Sequence, residues 1–346
     1  MYDIAIIGLG PAGATIARLL DKKYSIIAID GKKAETGKCC GGLLSPDAQK
    51  ILALFDIYLP KDILADPQIF SVRTMDFDNN LERFYQRFYI NMNRTKFDNY
   101  LVSLIPPHVE ICRGSFCSKI ERENNTFSLE IKTKDGNRTE KARIVIGADG
   151  AHSLVRNAFY GNKKIHKYTA IQEWYEDKTN SPFYSCIFDK SLTDSYCWTI
   201  SKDNVLIIGG AFPQKDSSDK FRLLKEKISS RGITFENLIK REGSFVFLNK
   251  GPAGTCTGKK GAYLIGEAAG MISPSSLEGI SYSMESASIL AKILNKGTSR
   301  IGFKYFAGTF GIRIKLLLKI FKRPFMYNRF LRAVIMKSGL KAIKKA

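Results

Sequence analysis

A glycine-rich loop near the N-terminus is the feature that most constrains how this chain folds. The loop lies between a continuous apolar run, residues 3–8, and a helix-like run, residues 11–20, and it consists of Gly8, Leu9, Gly10, Pro11, Ala12 and Gly13. In such a loop Gly8 permits a tight turn and Gly10 lets another molecule approach the backbone. Gly13 lets the helix pack closely on the strand. Because the apolar run does not alternate with polar residues, it predicts a strand of a parallel sheet that is covered on both faces.

A second apolar run, residues 24–29, ends at Asp30, which follows Gly13 by 17 residues. The start of the intervening helix would offer free N–H groups and the positive end of the helix dipole to phosphates. Asp30 would accept hydrogen bonds from an adenosine ribose. The pattern therefore predicts a dinucleotide site, and taken alone it does not distinguish FAD from NAD. The residues predicted to bind the cofactor here are Gly8, Gly10, Pro11, Ala12, Gly13 and Asp30.

Later segments resemble motifs of the p-hydroxybenzoate-hydroxylase-like flavoproteins. Residues 147–156, Gly-Ala-Asp-Gly-Ala-His-Ser-Leu-Val-Arg, resemble their DG motif, and residues 266–270, Gly-Glu-Ala-Ala-Gly, resemble their GD motif except that Glu267 replaces the usual Asp. Asn93 and Arg94 open a segment similar to the helix that places an Arg near the flavin. The resemblance implies non-covalent FAD, and it adds to the predicted cofactor-binding residues Arg94, Asp149, Gly150, Gly266, Glu267, Gly270 and Gly279.

Two further segments resemble the geranylgeranyl reductase family. Residues 39–44, Cys-Cys-Gly-Gly-Leu-Leu, are similar to its Cys-Gly-Gly segment, and residues 196–202, Tyr-Cys-Trp-Thr-Ile-Ser-Lys, to its YxWxFPK motif with Ile and Ser in place of Phe and Pro. Residues 41–49, 67–71 and 182–189 resemble the CbrA-like flavoproteins. These likenesses imply catalytic roles for Cys40, Tyr196 and Trp198 and cofactor contacts at Gly41 and Gly42.

The residues themselves leave alternatives open at these positions. Tyr196 and Trp198 alternate along a predicted strand and so face the same side, where they line either an apolar slot or the core. Cys39 and Cys40 are either inert thiols, with Cys40 near the flavin as the functional interpretation, or a vicinal disulfide. No metal site is predicted, because the three His residues are scattered and Cys112 and Cys117 have too few other possible ligands beside them.

The charge is unevenly distributed. The net charge is +21, and no acidic residue follows Glu285, whereas Lys and Arg recur to the end of the chain. Residues 303–346 carry Phe, Leu and Ile among these cations at helical spacing. A basic amphipathic helix is typical of proteins that bind an anionic membrane surface. The alternative is that these helices close the second domain, and no nucleic-acid-binding motif accompanies the charge.

The predicted fold class is α/β, with a Rossmann-type FAD-binding domain, an inserted β-rich substrate domain and a C-terminal helical segment. The FAD-binding domain is predicted to span 1–66, 91–167 and 256–295, the substrate domain 67–90 and 168–255, and the basic helical segment 296–346. Seven cysteines at irregular spacing, with no leader or apolar run of spanning length, favour a cytoplasmic protein that is peripheral to the membrane at most.

The combined prediction is an FAD-dependent oxidoreductase that saturates C=C bonds of an isoprenoid or other apolar lipid. Since no second glycine-rich fingerprint is present, the electrons are expected from transiently bound NAD(P)H or from a reduced ferredoxin or flavodoxin. The alternatives are an FAD-dependent monooxygenase of the same fold and a flavin-binding redox protein without turnover.

Overall fold

The computed structural model describes residues 1–35, 37–161, 166–177, 181–297 and 299–343. Its strands, in chain order, are β1 (Tyr2–Ile7), β2 (Ile26–Asp30), β3 (Leu43–Leu44), β4 (Ile69–Asp76), β5 (Leu81–Asn91), β6 (Val109–Arg113), β7 (Phe116–Glu123), β8 (Thr126–Thr133), β9 (Gly136–Gly147), β10 (His166–Glu176), β11 (Phe183–Phe188), β12 (Cys197–Lys202), β13 (Val205–Pro213), β14 (Glu236–Leu248), β15 (Gly258–Lys259) and β16 (Ala262–Leu264). Its helices are α1 (Pro11–Leu19), α2 (Pro46–Leu54), α3 (Arg94–Ser103), α4 (Leu154–Phe159), α5 (Ser217–Ser229), α6 (Ile280–Asn295), α7 (Ile301–Gly308), α8 (Phe310–Tyr327) and α9 (Arg329–Ser338).

The described residues form two compact units. The first contains residues 1–37, 95–166 and 247–318, and the second contains residues 38–94, 167–246 and the chain from Lys319 onward. The sequence instead groups 38–66 and 91–94 with the nucleotide domain. These residues belong to the second unit because β3 pairs with β5, joining Leu43 to Asn91. Residues 344–346 of the predicted basic segment lie outside the described residues.

The first unit is built on a largely parallel sheet in the order β15-β16-β9-β1-β2-β6, with β7 and β8 added beside β9. Strand β1 pairs in parallel with both β2 and β9, as the apolar runs predict. Buried Ile, Val and Leu side chains fill its core, together with Ile312 and Leu316 of α8. The α/β fold class with a Rossmann-type nucleotide domain and a C-terminal helical segment is confirmed.

The second unit is built on a mainly antiparallel sheet in the order β14-β10-β13-β12-β11-β4-β5-β3. The sequence prediction of a β-rich stretch at 168–255 did not identify helix α5. Its side chains Phe221, Leu224 and Ile228, at helical spacing, are buried against one face of this sheet, where they meet Cys197. A single amphipathic helix within a β-rich segment is easily overlooked when aromatic and turn residues surround it.

A buried ion pair attaches α9 to this second sheet. The Arg332 Nη2 atom lies 2.7 Å from an oxygen of Asp76 and 2.7 Å from an oxygen of Asp78. Asp76 is fully buried and Arg332 is 5% exposed. Since removing one partner strands a buried charge, this pair determines whether α9 stays docked.

We expect Arg332→Met to destabilise the second unit by about 3–5 kcal/mol, because Asp76 would remain buried without its cation. Urea unfolding followed by circular dichroism measures this loss. Arg329→Met, at an exposed position of the same helix, is the matched control and should change stability little. Equal stability of the two variants would show that the ion pair does not hold α9.

Candidate functional site

The carboxyl ends of four parallel strands in the first unit line up at one edge of the sheet. Ile7 at the end of β1 pairs with Ile29 of β2 and with Gly147 of β9. Leu264 of β16 pairs with the same Gly147. The loops that follow these strands therefore leave the sheet together, and they contain the three glycine-rich segments singled out in the sequence. In open α/β sheets this edge is where ligands bind.

The first loop packs backbone against backbone. Gly8 has a φ of +94°, and a Cβ at Gly13 would lie 1.8 Å from the Gly8 carbonyl oxygen. A Cβ at Gly8 would lie 2.7 Å from the Ala148 carbonyl oxygen. No side chain fits at either position without moving the backbone. The first and second glycine-rich segments are thus in direct contact.

Gly10 differs from its neighbours, since a Cβ there would meet nothing within 4 Å. It is the N-cap residue of α1, no side chain caps the helix, and Pro11 occupies the first turn. Helix α1 therefore begins without a side-chain cap, and there is open space where a side chain of its N-cap residue would stand. This cradle suits a pyrophosphate, because helix N-termini bind anions through N–H groups and the helix dipole.

Asp30 closes the adjacent strand β2 and is 6% exposed. Burial raises the pKa of its carboxyl group, and the nearby Lys32 and Arg113 cations and the Lys32 and Leu9 N–H groups oppose that rise. The carboxylate thus lies one strand away from the Gly8 loop, at the same sheet edge. A ribose beside the phosphate cradle would find an acceptor here.

The second and third segments also meet. A Cβ at Gly150, whose φ is +68°, would lie 3.7 Å from Glu267 Oε2, and one at Gly266 would lie 3.1 Å from the Ala12 Cβ. Asp149 Oδ2 accepts a 2.6 Å hydrogen bond from the Leu154 N–H. Burial raises the pKa of Asp149 to about 6.

The predicted positions Glu267, Gly270 and Gly279 have three different structural environments. Glu267 is 8% exposed, and its Oε1 accepts a 3.0 Å hydrogen bond from the Phe247 N–H. Gly270 ends a short turn with a φ of +77°, a conformation that favours glycine. Gly279 is the N-cap of α6. The cofactor contacts assigned to these residues remain predictions.

Arg156, at the end of the second segment, has a structural role that the sequence prediction missed. Its guanidinium donates 2.9 Å hydrogen bonds to the carbonyl oxygens of Ala268 and Gly254, and the residue is 3% exposed. It therefore fixes the third segment against the second. Its place as the final Arg of the 147–156 segment is the sequence signal that marks it.

In the second unit, a buried lysine holds the Cys-Gly-Gly turn. Lys202 is 3% exposed, and its ammonium donates to the carbonyl oxygens of Gly41 at 2.9 Å, Gly42 at 3.4 Å and Met92 at 2.6 Å. Burial lowers the pKa of Lys202 to about 8. The turn is also tied to the end of β5, since the Met92 N–H donates to the Gly42 carbonyl at 2.9 Å. Lys202 was quoted in the sequence motif but not among the predicted site residues.

The turn and the aromatic motif share one face of β12. Side chains two residues apart lie on the same face of a strand, so Trp198, Ile200 and Lys202 point one way. A Cβ at Gly41 would lie 2.4 Å from Ile200 Cδ1, which shows how closely the turn approaches this face. Helix α5 covers the opposite face, where Cys197 is buried.

Trp198 is closely confined within this sheet. Its ring fills the space beside Gly209 on β13, where a Cβ would lie 2.6 Å from the indole. The Tyr196 ring lies at a centroid distance of 5.7 Å from Trp198, tilted by 55°, and packs with the apolar cluster around Cys186. The buried indole N–H of Trp198 has no hydrogen-bond partner among the described residues. Both rings pack within the second unit, and their predicted catalytic role remains a prediction.

Cys39 and Cys40 are free thiols, so the vicinal disulfide is absent. Cys40 is half-buried, and its sulfur accepts a 3.4 Å hydrogen bond from the Gly42 N–H. Burial, reinforced by the charges of Cys40 and Glu242, raises the pKa of Cys39 to about 12. A thiol with so high a pKa is protonated at neutral pH, and the thiol is a poor nucleophile compared with the thiolate. Arg94 begins α3 and is assigned to the second unit together with the turn.

We expect Lys202→Met to loosen the Cys-Gly-Gly turn, because the three carbonyl oxygens lose their shared donor. Alkylation of Cys40 by iodoacetamide, followed by peptide mass spectrometry, should accelerate about tenfold, which corresponds to about one lost hydrogen bond. Lys215→Met, at an exposed position of the same unit, is the control.

The wild type and Lys202→Met can also be compared as a function of pH. The pKa of Lys202 in the folded chain, about 8, lies below its ordinary 10.5, so between these values the unfolded chain binds more protons. The stability of the wild type minus that of Lys202→Met should therefore rise as the pH rises through this window. If this stability difference stayed flat or fell with pH, and Cys40 alkylation were unchanged, Lys202 would not hold the turn.

Known proteins resemble this chain over its whole length, although no family model matches its sequence. Protein CbrA of Escherichia coli O139:H28 is 46% identical over 344 residues, which cover 98% of this chain and 97% of CbrA. A geranylgeranyl bacteriochlorophyll reductase-like protein from Thermoplasma acidophilum shares the fold with a TM-score of 0.71 and 19% identity, over 99% of this chain and 88% of that one. PqsL of Pseudomonas aeruginosa, a probable FAD-dependent monooxygenase, has a TM-score of 0.69 and 14% identity, over 97% and 99% of the two chains. The identity to CbrA over the full length of both proteins shows that this chain belongs to the CbrA family.

Proposed function

We propose that this protein is an FAD-dependent oxidoreductase that reduces a C=C bond in an apolar, isoprenoid-type lipid. The observation that carries the proposal is the cradle at Gly10. It combines uncapped N–H groups of α1, open space where a side chain would otherwise stand, and the neighbouring Asp30 carboxylate. This set of groups fits the pyrophosphate and adenosine ribose of a dinucleotide.

The other two segments favour FAD over a nicotinamide dinucleotide as the resident cofactor. Asp149, Gly150 and Glu267 lie together at the same sheet edge, held by the two hydrogen bonds of Arg156. This edge would accommodate a second, longer half of the ligand beyond the phosphates. Asp149 and Glu267 would accept hydrogen bonds from ribityl hydroxyls. When bound, FAD would supply hydride transfer from its reduced isoalloxazine ring.

The second unit supports an apolar substrate and a reductive reaction. The face of β12 that carries Trp198 and Ile200 is aromatic and aliphatic apart from Lys202 at its end, and it carries no carboxylate. Lys202 fixes the carbonyl groups of the turn, so Cys40 is held at a defined position. In the reaction, one alkene carbon receives a hydride and the other a proton from solvent or from a side chain. The two electrons come from transiently bound NAD(P)H or from a reduced ferredoxin or flavodoxin.

A monooxygenase is the second candidate, and the fold shared with PqsL favours it. A monooxygenase consumes O₂ in proportion to substrate, whereas a C=C reductase does not. Oxygen-electrode measurements with and without lipid substrate therefore separate the two reactions.

Two glycine substitutions test the cofactor site. Gly10→Ala should leave the fold intact, since its Cβ meets nothing within 4 Å, but should weaken FAD binding by filling the cradle. We expect about a tenfold or larger rise in the FAD dissociation constant, the cost of about one lost phosphate hydrogen bond. Gly13→Ala should lose FAD together with stability, because its Cβ would collide with Gly8.

Gly251→Ala is the matched control for Gly10→Ala, since a Cβ there also meets nothing within 4 Å. Fluorescence titration with FAD measures binding, and thermal unfolding measures the fold. If Gly10→Ala bound FAD as tightly as Gly251→Ala, the cofactor would not lie at this loop.

Substitutions on the second unit test the reaction. Trp198→Phe and Cys40→Ser should keep the flavin spectrum and slow the anaerobic reoxidation of reduced enzyme by polyprenyl lipids, about tenfold or more if each group contacts substrate. Mass spectrometry of the lipids should show a gain of two hydrogens. Phe70→Ala, at a residue 61% exposed, serves as the control. Unchanged reoxidation in both variants would remove these residues from the active site.

A further inference from the structure

Helix α8 exposes an unusually large apolar surface to solvent. Phe310, Ile314, Leu318, Phe321 and Phe325 are 62%, 40%, 63%, 66% and 53% exposed. At 3.6 residues per turn these five positions fall within an arc of about 80° on the helix. The buried residues of α8, Ile312 and Leu316, lie on the opposite side. The helix therefore packs with one apolar face and leaves a second apolar stripe, on its opposite side, exposed among the described residues.

The apolar exposure extends to the neighbouring helices. Phe303 on α7 is 71% exposed, and on α9 Phe330 and Val334 are 70% and 67% exposed. Scattered apolar residues on a surface are ordinary, but a run of large side chains along consecutive helices marks a binding surface. None of the described helices is long and apolar enough to cross a membrane.

Cations flank this stripe. At 3.6 residues per turn, Arg313 lies about 60° to one side of Phe310, and Lys315 and Lys322 lie about 120–140° to the other. Within the described chain, four lysines of this region take part in no ion pair: Lys304, Lys322, Lys337 and Lys341. Partial burial lowers the pKa of Lys322, and the nearby Arg87 and Lys319 cations lower it further.

We propose that the α8 stripe is a docking surface for an anionic phospholipid membrane. Phe and Leu would enter the headgroup–acyl boundary while the unpaired lysines contact lipid phosphates. A second copy of this chain is a poor occupant, because no acidic residue follows Glu285 and two such faces would repel each other. The surface does not depend on the proposed reaction.

Sedimentation of the full-length protein with sucrose-loaded vesicles tests the proposal. We expect co-sedimentation with vesicles of 70% phosphatidylcholine and 30% phosphatidylglycerol at low salt, weakening as salt rises, and little with pure phosphatidylcholine. Lys322→Gln with Lys337→Gln should weaken binding about 25-fold, at about fivefold per lysine. The control is Lys134→Gln with Lys260→Gln, at exposed positions elsewhere.

The apolar contribution has its own pair of variants. Leu318→Ser with Phe321→Ser should reduce vesicle binding about tenfold or more, since each side chain loses its burial in lipid. Leu238→Ser with Ile239→Ser removes equally exposed apolar residues from β14 and should have no effect.

Three outcomes would overturn the proposal. The first is equal sedimentation with neutral and anionic vesicles, and the second is sedimentation with neither. The third is a concentration-dependent dimer that Phe321→Ser abolishes, because a second copy would then occupy the stripe.

Discussion

The contact between Gly13 and the Gly8 carbonyl oxygen is the constraint on which the nucleotide half of this protein depends. The 1.8 Å separation that a Cβ would have from that oxygen means that helix α1 approaches β1 only because no side chain is present. This approach sets where α1 begins, and so where its free N–H groups point. The same loop contacts Ala148 and, through Ala12, Gly266. One close backbone contact therefore brings three segments, distant in sequence, to a single sheet edge.

In the second unit, a buried lysine side chain brings segments that are distant in sequence together. A buried ammonium without a carboxylate is energetically unfavourable, and Lys202 offsets this by donating to three carbonyl oxygens. Its reach joins the Cys-Gly-Gly turn, the end of β5 and the face of β12. The two motifs that resemble geranylgeranyl reductases are thus one structural element, although Lys202, which ends the second motif, lies 160 positions after Gly42 of the first. Because helix α5 covers the opposite face of β12, the turn packs on this face.

Much of the nucleotide half followed from the sequence because local patterns determine it. Apolar runs without alternation predicted the parallel strands, and the Gly8–Gly13 spacing predicted the loop between β1 and α1. The placement of residues 38–66 did not follow, because a two-residue strand, β3, pairs with β5 across a long loop. Helix α5 was hidden in a segment rich in strand formers. Arg156 and Lys202 were visible only as the last residues of motifs, since a side chain that bonds distant carbonyl groups has no local signature.

The exposed stripe on α8 is another feature that the sequence alone did not resolve. Helical spacing of Phe, Ile and Leu predicted an amphipathic segment, and it left membrane binding and core packing as equal alternatives. The structure shows that one face of the helix packs in the core, with Ile312 and Leu316, and that Phe321 is exposed on the other side. Membrane binding by the exposed face is a proposal. A helix with two apolar faces has a sequence that resembles a single broad face.

The central claim is that three glycine-rich segments of this chain together hold FAD. Its most direct measurement is the identity and amount of the nucleotide that heat or acid releases from purified wild-type protein, determined by chromatography and mass spectrometry. The account predicts FAD, non-covalently bound, at about one molecule per chain, or its stoichiometric uptake on reconstitution. A colourless protein that takes up no FAD, or one that binds only a nicotinamide dinucleotide, would contradict it.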